Sequence, residues 1–405
     1  MLTRNLYINK IQHYIDKPFV KVITGIRRSG KSTILMLLSK DLMSRGISKD
    51  QIIYINFESF RNFNLSDAIS LHTHISSKIS APKRYYLIFD EIQEVNNWEK
   101  AINSFMVDFN VDIYITGSNS NLLSSELATY LAGRYIEFHI FPLSFKEYLF
   151  FKKERKREIT DNYKEFEIYL RTGGFPVLHI SDYSYDTAYK IVFDIYSSVI
   201  LRDTIQRNKI RDIELLERVV KYVFDNIGSK FSGKKVADYF KSQYRKVDIN
   251  TIYNYLAALE SAFIIHKLNR FDVKGKEILK TQEKYFAADS ALIYAVMGYK
   301  DRIIAGVLEN IVMLELLRCD YKVFVGKLHN TEIDFVAIKG NKTLYIQVSY
   351  LLAEQSTIER EFKPLLEIKD NYPKYVVTMD TLWQDNIEGV RHIHIADFLL
   401  LNEYQ

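Results

Sequence analysis

The chain has 405 residues, 47% of them hydrophobic and 26% charged, with a formal net charge of +5. That length exceeds what one hydrophobic core fills, so two to four domains of ordinary soluble composition are expected. The start, MLTRNLYINKIQHYID, has no apolar signal-like core, and no run of about 18 apolar residues follows; both argue against secretion or membrane insertion and for the cytoplasm. The single cysteine, Cys319, excludes an internal disulfide and, within NIVMLELLRC, reads as a buried thiol. Charge is uneven: residues 228–284 hold 12 Lys/Arg against 6 Asp/Glu, a local net of +6. A polyanionic partner, if there is one, is expected there.

Residues 1–142 alternate short apolar runs with longer amphipathic segments, the pattern of a parallel sheet covered by helices. Strands are expected at 19–24, 52–57, 85–90, 111–116 and 135–141. They lack strict polar alternation, as strands buried on both faces do. Ligands of such sheets bind at the carboxyl ends of the strands. The first strand ends in GIRRSGKST, residues 25–33, which opens onto the helical TILMLLSKDLM. Gly25 and Gly30 permit a backbone that aims successive N–H groups inward along Ile26, Arg27, Arg28 and Ser29, so the loop from Gly25 to Thr33 is the candidate nucleotide cradle. Lys31 would reach the outer phosphates of ATP and Ser32 would offer its hydroxyl to Mg²⁺.

The third strand ends in Asp90-Glu91, a Walker B pattern. Asp90 would act on Mg²⁺ and Glu91 would orient and deprotonate the attacking water. The strand VDIYIT ends in Gly117-Ser118-Asn119, where Ser118 and Asn119 would sense the γ-phosphate or the water while capping the helix expected at NLLSSELATYL. Arg134, in LAGRY, would serve as an arginine finger, within the chain or toward a neighbouring subunit, or stand solvated. Glu58 reads as a surface carboxylate at a strand end.

From 143 to 227 the periodicity is helical, interrupted by the turn GGFP at 173–176. Three short helices follow, then two strand-like runs around Lys274-Gly275-Lys276. This is the pattern of a winged helix-turn-helix whose third helix is capped by Asp248 or Asn250. Thr251, Asn254 and Tyr255 would face base edges and Lys274 and Lys276 would meet phosphates, with Lys234, Lys235, Arg245 and Lys246 extending the basic surface. The last block reads as a helix at 303–319, three strands, a helix at 354–370 and a strand at YVVTM.

The ordered set GIRRSGKST, LIFDEIQ, ITGSNSNLL, LAGRY with FPLSFKEYL, GGFP, ILRD (200–203), TIYNYLAALESAFII, KYFAAD (284–289), LEN (308–310), EIDFVA and YIQVS resembles a prokaryotic family. In it an AAA-type ATPase is fused to a C-terminal domain of unknown function, number 4143, of nuclease-like fold. The resemblance spans essentially the whole chain. It implies an α/β protein: a P-loop NTPase domain of the AAA/ASCE type with a parallel sheet (1–142), a helical lid (143–227), a winged helix-turn-helix (228–289) and a restriction-endonuclease-like α/β domain (290–405).

A nuclease of the PD-(D/E)XK type needs an acid on its first helix, an Asp on a strand and Glu-x-Lys on the next strand. Glu309, Asp334 and Gln347-Val348-Ser349 stand at those places. Ser349 replaces the lysine, so a fold retained for binding is preferred over cleavage; Lys363, on the following helix, is a candidate substitute for the missing cation. The preferred reading is an ATP-hydrolysing switch acting on or near double-stranded DNA, with a lid closing over ATP. The alternatives are a nucleotide-dependent module for an unknown protein partner, homo-oligomeric assembly included, and an ATP-regulated metal-dependent nuclease. No membrane partner is expected.

Overall fold

Runs of Ile, Val, Tyr and Phe become the strands of two sheets. The structure, a computed structural model, describes residues 3–120, 131, 133–381 and 386–404. They cluster into two units, Met1–Ile140 with Ser261–Phe263 and Phe141–Glu260 with Ile264–Gln405. The expected helix at NLLSSELATYL lies, but for its last residue, outside the described residues.

In the first unit β1 (Val20–Thr24), β2 (Ile52–Asn56), β3 (Tyr85–Asp90), β4 (Val111–Thr116) and β5 (Tyr135–His139) form a sheet of order β2-β3-β4-β1-β5. Every pairing is parallel, and β4 sits between β1 and β3. The inner strands β1 and β3 are buried along their whole length, whereas β2 at the edge exposes Tyr54. Side chains alternate across the sheet. Val22, Leu87 and Phe89 pack with Trp98, Ile102 and Phe105 on one face; Ile23, Tyr86 and Ile88 pack with Ile34, Leu35 and Leu38 on the other.

One charge breaks this apolar pattern. Lys21, fully buried in β1, donates from Nζ to Asp112 on β4 and to the Lys17 carbonyl at 3.1 Å. Asp112 also accepts from the Tyr114 hydroxyl (2.7 Å) and the Asp16 N–H (2.9 Å), so three donors converge on it. Burial pulls the Lys21 ammonium below its ordinary range, opposed by the Asp112 charge.

In the second unit, helices Phe145–Glu154, Asn162–Thr172 and Tyr185–Ser198 come first, the third running on as a π-helix, Val199–Gln206. The FPLSFKEYL motif is a capping box: the Glu147 N–H donates to Ser144 Oγ and the Ser144 N–H to Glu147 Oε2, both at 3.0 Å. GGFP and the Asp of KYFAAD are a single junction. The Gly174 N–H donates to Asp289 Oδ2 at 2.7 Å, and a Cβ on Gly174 would lie 2.1 Å from the Leu143 oxygen.

Helices Ile213–Asp225, Gly233–Ser242 and Ile249–Ser261 precede an antiparallel hairpin of β6 (Ile265–Asp272) and β7 (Glu277–Ala287). Asp248 caps the third helix, accepting the Asn250 N–H at 2.7 Å. β6 also pairs in parallel with β8 (Lys322–Leu328), matching Arg270 to Val325 and Asp272 to Lys327. Beyond β8 come β9 (Thr331–Lys339), β10 (Lys342–Val348), β11 (Lys374–Thr378), β12 (Asn386–Ile387) and β13 (Val390–His394). The hairpin and the later strands thus share one eight-stranded sheet, order β12-β13-β11-β10-β9-β8-β6-β7.

Asp112→Ala strands the Lys21 ammonium in an apolar layer. It is expected to destabilise the first unit by about 3–5 kcal/mol, read by urea unfolding, while Lys21→Met combined with Asp112→Leu, which removes both charges, is expected to cost clearly less.

Candidate nucleotide site and carboxylate cluster

The loop between β1 and the helix Lys31–Ser44 is shaped by its glycines. Gly30 lies at φ 101°, ψ 21°, immediately before the helix, and Gly25 at φ 136°. A Cβ on Gly25 would fall 2.3 Å from the Ile140 oxygen, so only glycine lets the loop leave β1 there. The loop ends at a helix N-terminus, whose free N–H groups and dipole favour an anion. Lys31 is buried and folds back into the loop, donating to the Gly25 carbonyl at 3.0 Å and the Ile26 carbonyl at 3.3 Å. Its Nζ lies 3.9 Å from Glu91 Oε1, which brings together two residues sixty positions apart.

At the end of β3, Asp90 is fully buried and accepts three hydrogen bonds: Thr116 Oγ1 at 2.6 Å, the Tyr54 hydroxyl at 2.9 Å and Asn56 Nδ2 at 3.0 Å. Thr116 Oγ1 in turn accepts the Glu91 N–H at 2.9 Å. One hydroxyl at the end of β4 therefore orients both acids of the Walker B pair. Glu91 adopts φ 55°, ψ 52°, a left-handed backbone that a side chain adopts at a cost of about 1–3 kcal/mol. Its carboxylate accepts from Gln93 Nε2. Ser118 and Asn119 are buried just past the end of β4, and Ser32 and Thr33 are half-buried in the first turn of the helix.

These residues fit a phosphate chain with Mg²⁺. A buried ammonium lines the cradle, and the buried Ser29 hydroxyl has no hydrogen-bond partner among the described residues. Thr116, Tyr54, Asn56 and Gln93 were not legible as site residues, because their parts depend on strand order. Arg4 belongs with them: buried, it donates to the Ser29 carbonyl at 2.8 Å from a segment with no motif. Arg27 turns aside to Glu58 (2.8 Å), so Glu58 is a partner of the loop rather than a free surface acid, while Arg28, at φ 67°, is exposed.

Arg134 corrects an expectation. It directly precedes β5, its carbonyl accepts the Val20 N–H at 2.9 Å, and its side chain reaches Asn103 Oδ1 (3.0 Å) and the Leu131 carbonyl (3.3 Å). Because β1 and β5 are parallel, this is the amino end of the sheet, roughly 15 Å of strand from the loop. An arginine finger acting within the chain is excluded by this position, which is compatible with a solvated arginine or with action on a second copy.

The expected DNA-facing residues divide. Asn254, Lys274 and Lys276 are exposed and Thr251 is half-buried, but Tyr255 is core, its hydroxyl donating to the Asp212 carbonyl at 3.3 Å. Arg245 pairs with Asp212 at 2.6 Å, which removes it from the free basic surface. Tyr255 falls on the inward stripe with Ile252, Leu256 and Leu259.

The expected nuclease-like residues converge incompletely. Glu309 and Asp334 approach one point, joined by Glu332, and that point is occupied by Lys284 Nζ, at 3.2, 3.6 and 2.9 Å respectively. Burial lowers the Lys284 ammonium, and the charges of Glu309, Asp334 and Glu332 outweigh it, so its pKa is raised. Burial pushes Glu309 well up and raises Asp334. Gln347 is not available to a metal: Oε1 accepts the Asp334 N–H at 2.7 Å and Nε2 donates to Glu361 at 2.8 Å. Nor does Lys363 substitute for the missing lysine. Glu361 faces inward, and two residues later, about 200° around the helix, Lys363 faces solvent.

Two family models match the chain, an AAA domain over residues 17–149 and a domain of unknown function (DUF8612) over residues 163–302. The second is not the domain 4143 that the resemblance implied. An uncharacterised protein of Haemophilus influenzae is 40% identical over 403 residues, 99% of each chain. One of Methanocaldococcus jannaschii is 35% identical over 395 residues, covering 93% of this chain and 85% of its own. The chain belongs to the family of these proteins, and its N-terminal part is an AAA domain. A Walker-type ATPase of Pyrococcus abyssi aligns with a TM-score of 0.50 at 16% identity, over 73% of this chain and 96% of that one, a likeness of fold. Among the described residues no helix is long and apolar enough to cross a membrane.

Gly25→Ala is expected to lower the melting temperature of the first unit, with about 1–3 kcal/mol from the backbone conformation alone and more from overlap with Ile140. It should also weaken ATP binding at least tenfold. Calorimetric unfolding and fluorescent-nucleotide titration would check both.

Proposed function

We propose that this protein is an ATP-hydrolysing AAA-type switch that works on or near double-stranded DNA. The convergence of Lys31, Asp90 and Glu91 at the carboxyl ends of two parallel strands on either side of β4 carries the reading. Lys31 and the loop N–H groups hold the phosphates, and Asp90, braced by three donors, orients the Mg²⁺ shell together with Ser32. Bound Mg²⁺ supplies positive charge that polarises the phosphoryl oxygens. Glu91 accepts the proton of the attacking water, a role that its proximity to Lys31 supports. Ser118 and Asn119, buried at the end of the intervening strand, sense the terminal phosphate.

The DNA part rests on the local net charge of +6 over residues 228–284 and on the exposed Lys234, Lys235, Lys274 and Lys276 around the helices and hairpin. A second reading, a nucleotide-dependent protein-interaction module, is favoured by a different observation. Phe60 and Phe63, 87% and 72% exposed, stack on each other at 5.6 Å just beyond β2. The Asn62 side chain beside them donates to the Asn56 carbonyl, and Asn56 holds Asp90. A protein partner gripping those rings would act directly on the Walker B strand.

Steady-state ATP hydrolysis with and without duplex DNA separates the two. Glu91→Gln is expected to keep nucleotide binding and lower turnover by about 10²-fold or more, and Lys31→Ala to lose binding. DNA-stimulated turnover in the wild type supports the first reading; turnover indifferent to DNA moves the assignment to a protein partner. In a second test, replacing Lys274 and Lys276 by Gln is expected to weaken DNA binding and reduce the slope of log affinity against log salt by about 2. An unchanged slope would remove the hairpin from the interface.

A further inference from the structure

We infer that Lys284 is a built-in cation, holding the meeting point of Glu309, Glu332 and Asp334 in place of a divalent metal and pinning the hairpin strand β7 to the helix Ile304–Arg318 and to β9. The three acids come from two elements and share no hydrogen bond that would offset their mutual repulsion; what they share is one ammonium. Lys284 is 2% exposed, and its Nζ lies 2.9–3.6 Å from an oxygen of each acid. These are ammonium–carboxylate separations, wider than the about 2.0–2.6 Å of Mg²⁺ or Ca²⁺ to oxygen.

Part of the remaining ligand capacity around the point is also taken up. Asp334 Oδ2 accepts the Val348 N–H at 2.9 Å, Glu332 Oε2 lies 2.9 Å from Lys230 Nζ, and Gln347 is bonded at both ends of its amide. A Cβ on Gly228 would lie 2.8 Å from Glu309 Oε2, so the chain closes over the acid on that side as well. Among the described residues no group of acids, histidines and cysteines is arranged to hold a metal. The residues present do not fit a divalent ion while Lys284 is there. The cluster is an anchor: β7 is the outer strand of the sheet, its Lys284 reaches Glu332 and Asp334 of β9, and Lys230, bridged to Lys284 through the backbone, pairs with the same Glu332.

The test counts Mn²⁺ sites on the full-length, nucleotide-free protein by electron paramagnetic resonance and follows thermal unfolding with and without Mn²⁺. Wild type and Asp334→Asn are expected to bind the same number of ions, whatever the nucleotide site contributes. Lys284→Ala is expected to gain one site, to melt lower than wild type without metal, and to regain stability with Mn²⁺; adding Asp334→Asn should abolish the gained site. Loss of a site from the wild type on Asp334→Asn would overturn the inference, because a metal would then sit beside the lysine. So would Lys284→Ala that folds, melts like the wild type and gains no site. If Lys284→Ala does not fold, the comparison of wild type with Asp334→Asn decides: equal stoichiometry supports the built-in cation and a lost site refutes it.

Discussion

Parallel pairing of β3 with β4, and of β4 with β1, is the constraint on which the nucleotide site depends. Three strands running the same way deliver three chain ends to one edge, and each end carries a different instrument: the loop that starts at Gly25, the acid pair Asp90-Glu91, and Ser118-Asn119. The Thr116 hydroxyl then ties two of these ends together, donating to Asp90 while accepting from the backbone of Glu91. Without that register a carboxylate as deeply buried as Asp90 would face apolar side chains and carry an unanswered desolvation cost.

The same logic of buried charge operates at two other places, with different outcomes. Lys21 and Asp112 lie at the opposite end of the first sheet and satisfy each other within a layer of aromatic and aliphatic side chains. A buried pair of this kind adds little net stability relative to apolar packing, but it penalises any register in which the two strands do not meet. Lys284 faces three acids instead of one, and its role is that of a ligand-gathering centre. Single charges in otherwise apolar runs mark strand register in this molecule as well as chemistry.

The motif pairs outside the first sheet are architectural. Asp289 and the two glycines of GGFP meet in a junction with no space for a side chain on Gly174, and Ser144 with Glu147 starts the first helix of the second unit. The exposed rings of Phe60 and Phe63 belong to a different class. They satisfy no core, and the loop that carries them is bonded through Asn62 and Asn56 to the carboxylate that would organise Mg²⁺. Burial therefore separates the residues that hold the fold from those available to partners.

The sequence by itself determined the AAA sheet and the nucleotide loop. Those features are written locally, as an apolar run followed at once by its functional residues, and the observed strands begin and end within two residues of the runs from which they were read. The capping signal at Asp248 was legible for the same reason. What only the tertiary structure decided are relations between distant segments. Strand direction puts Arg134 at the wrong end of the sheet for an in-chain finger, and helix phase turns Tyr255 inward and Lys363 outward. Gln347 is spent on the backbone of a neighbouring strand, and Lys284 comes to rest among acids up to fifty residues further along the chain. Local patterning encodes which face of an element is apolar; which charges meet is set by the register and crossing of elements, and no short window of sequence contains it.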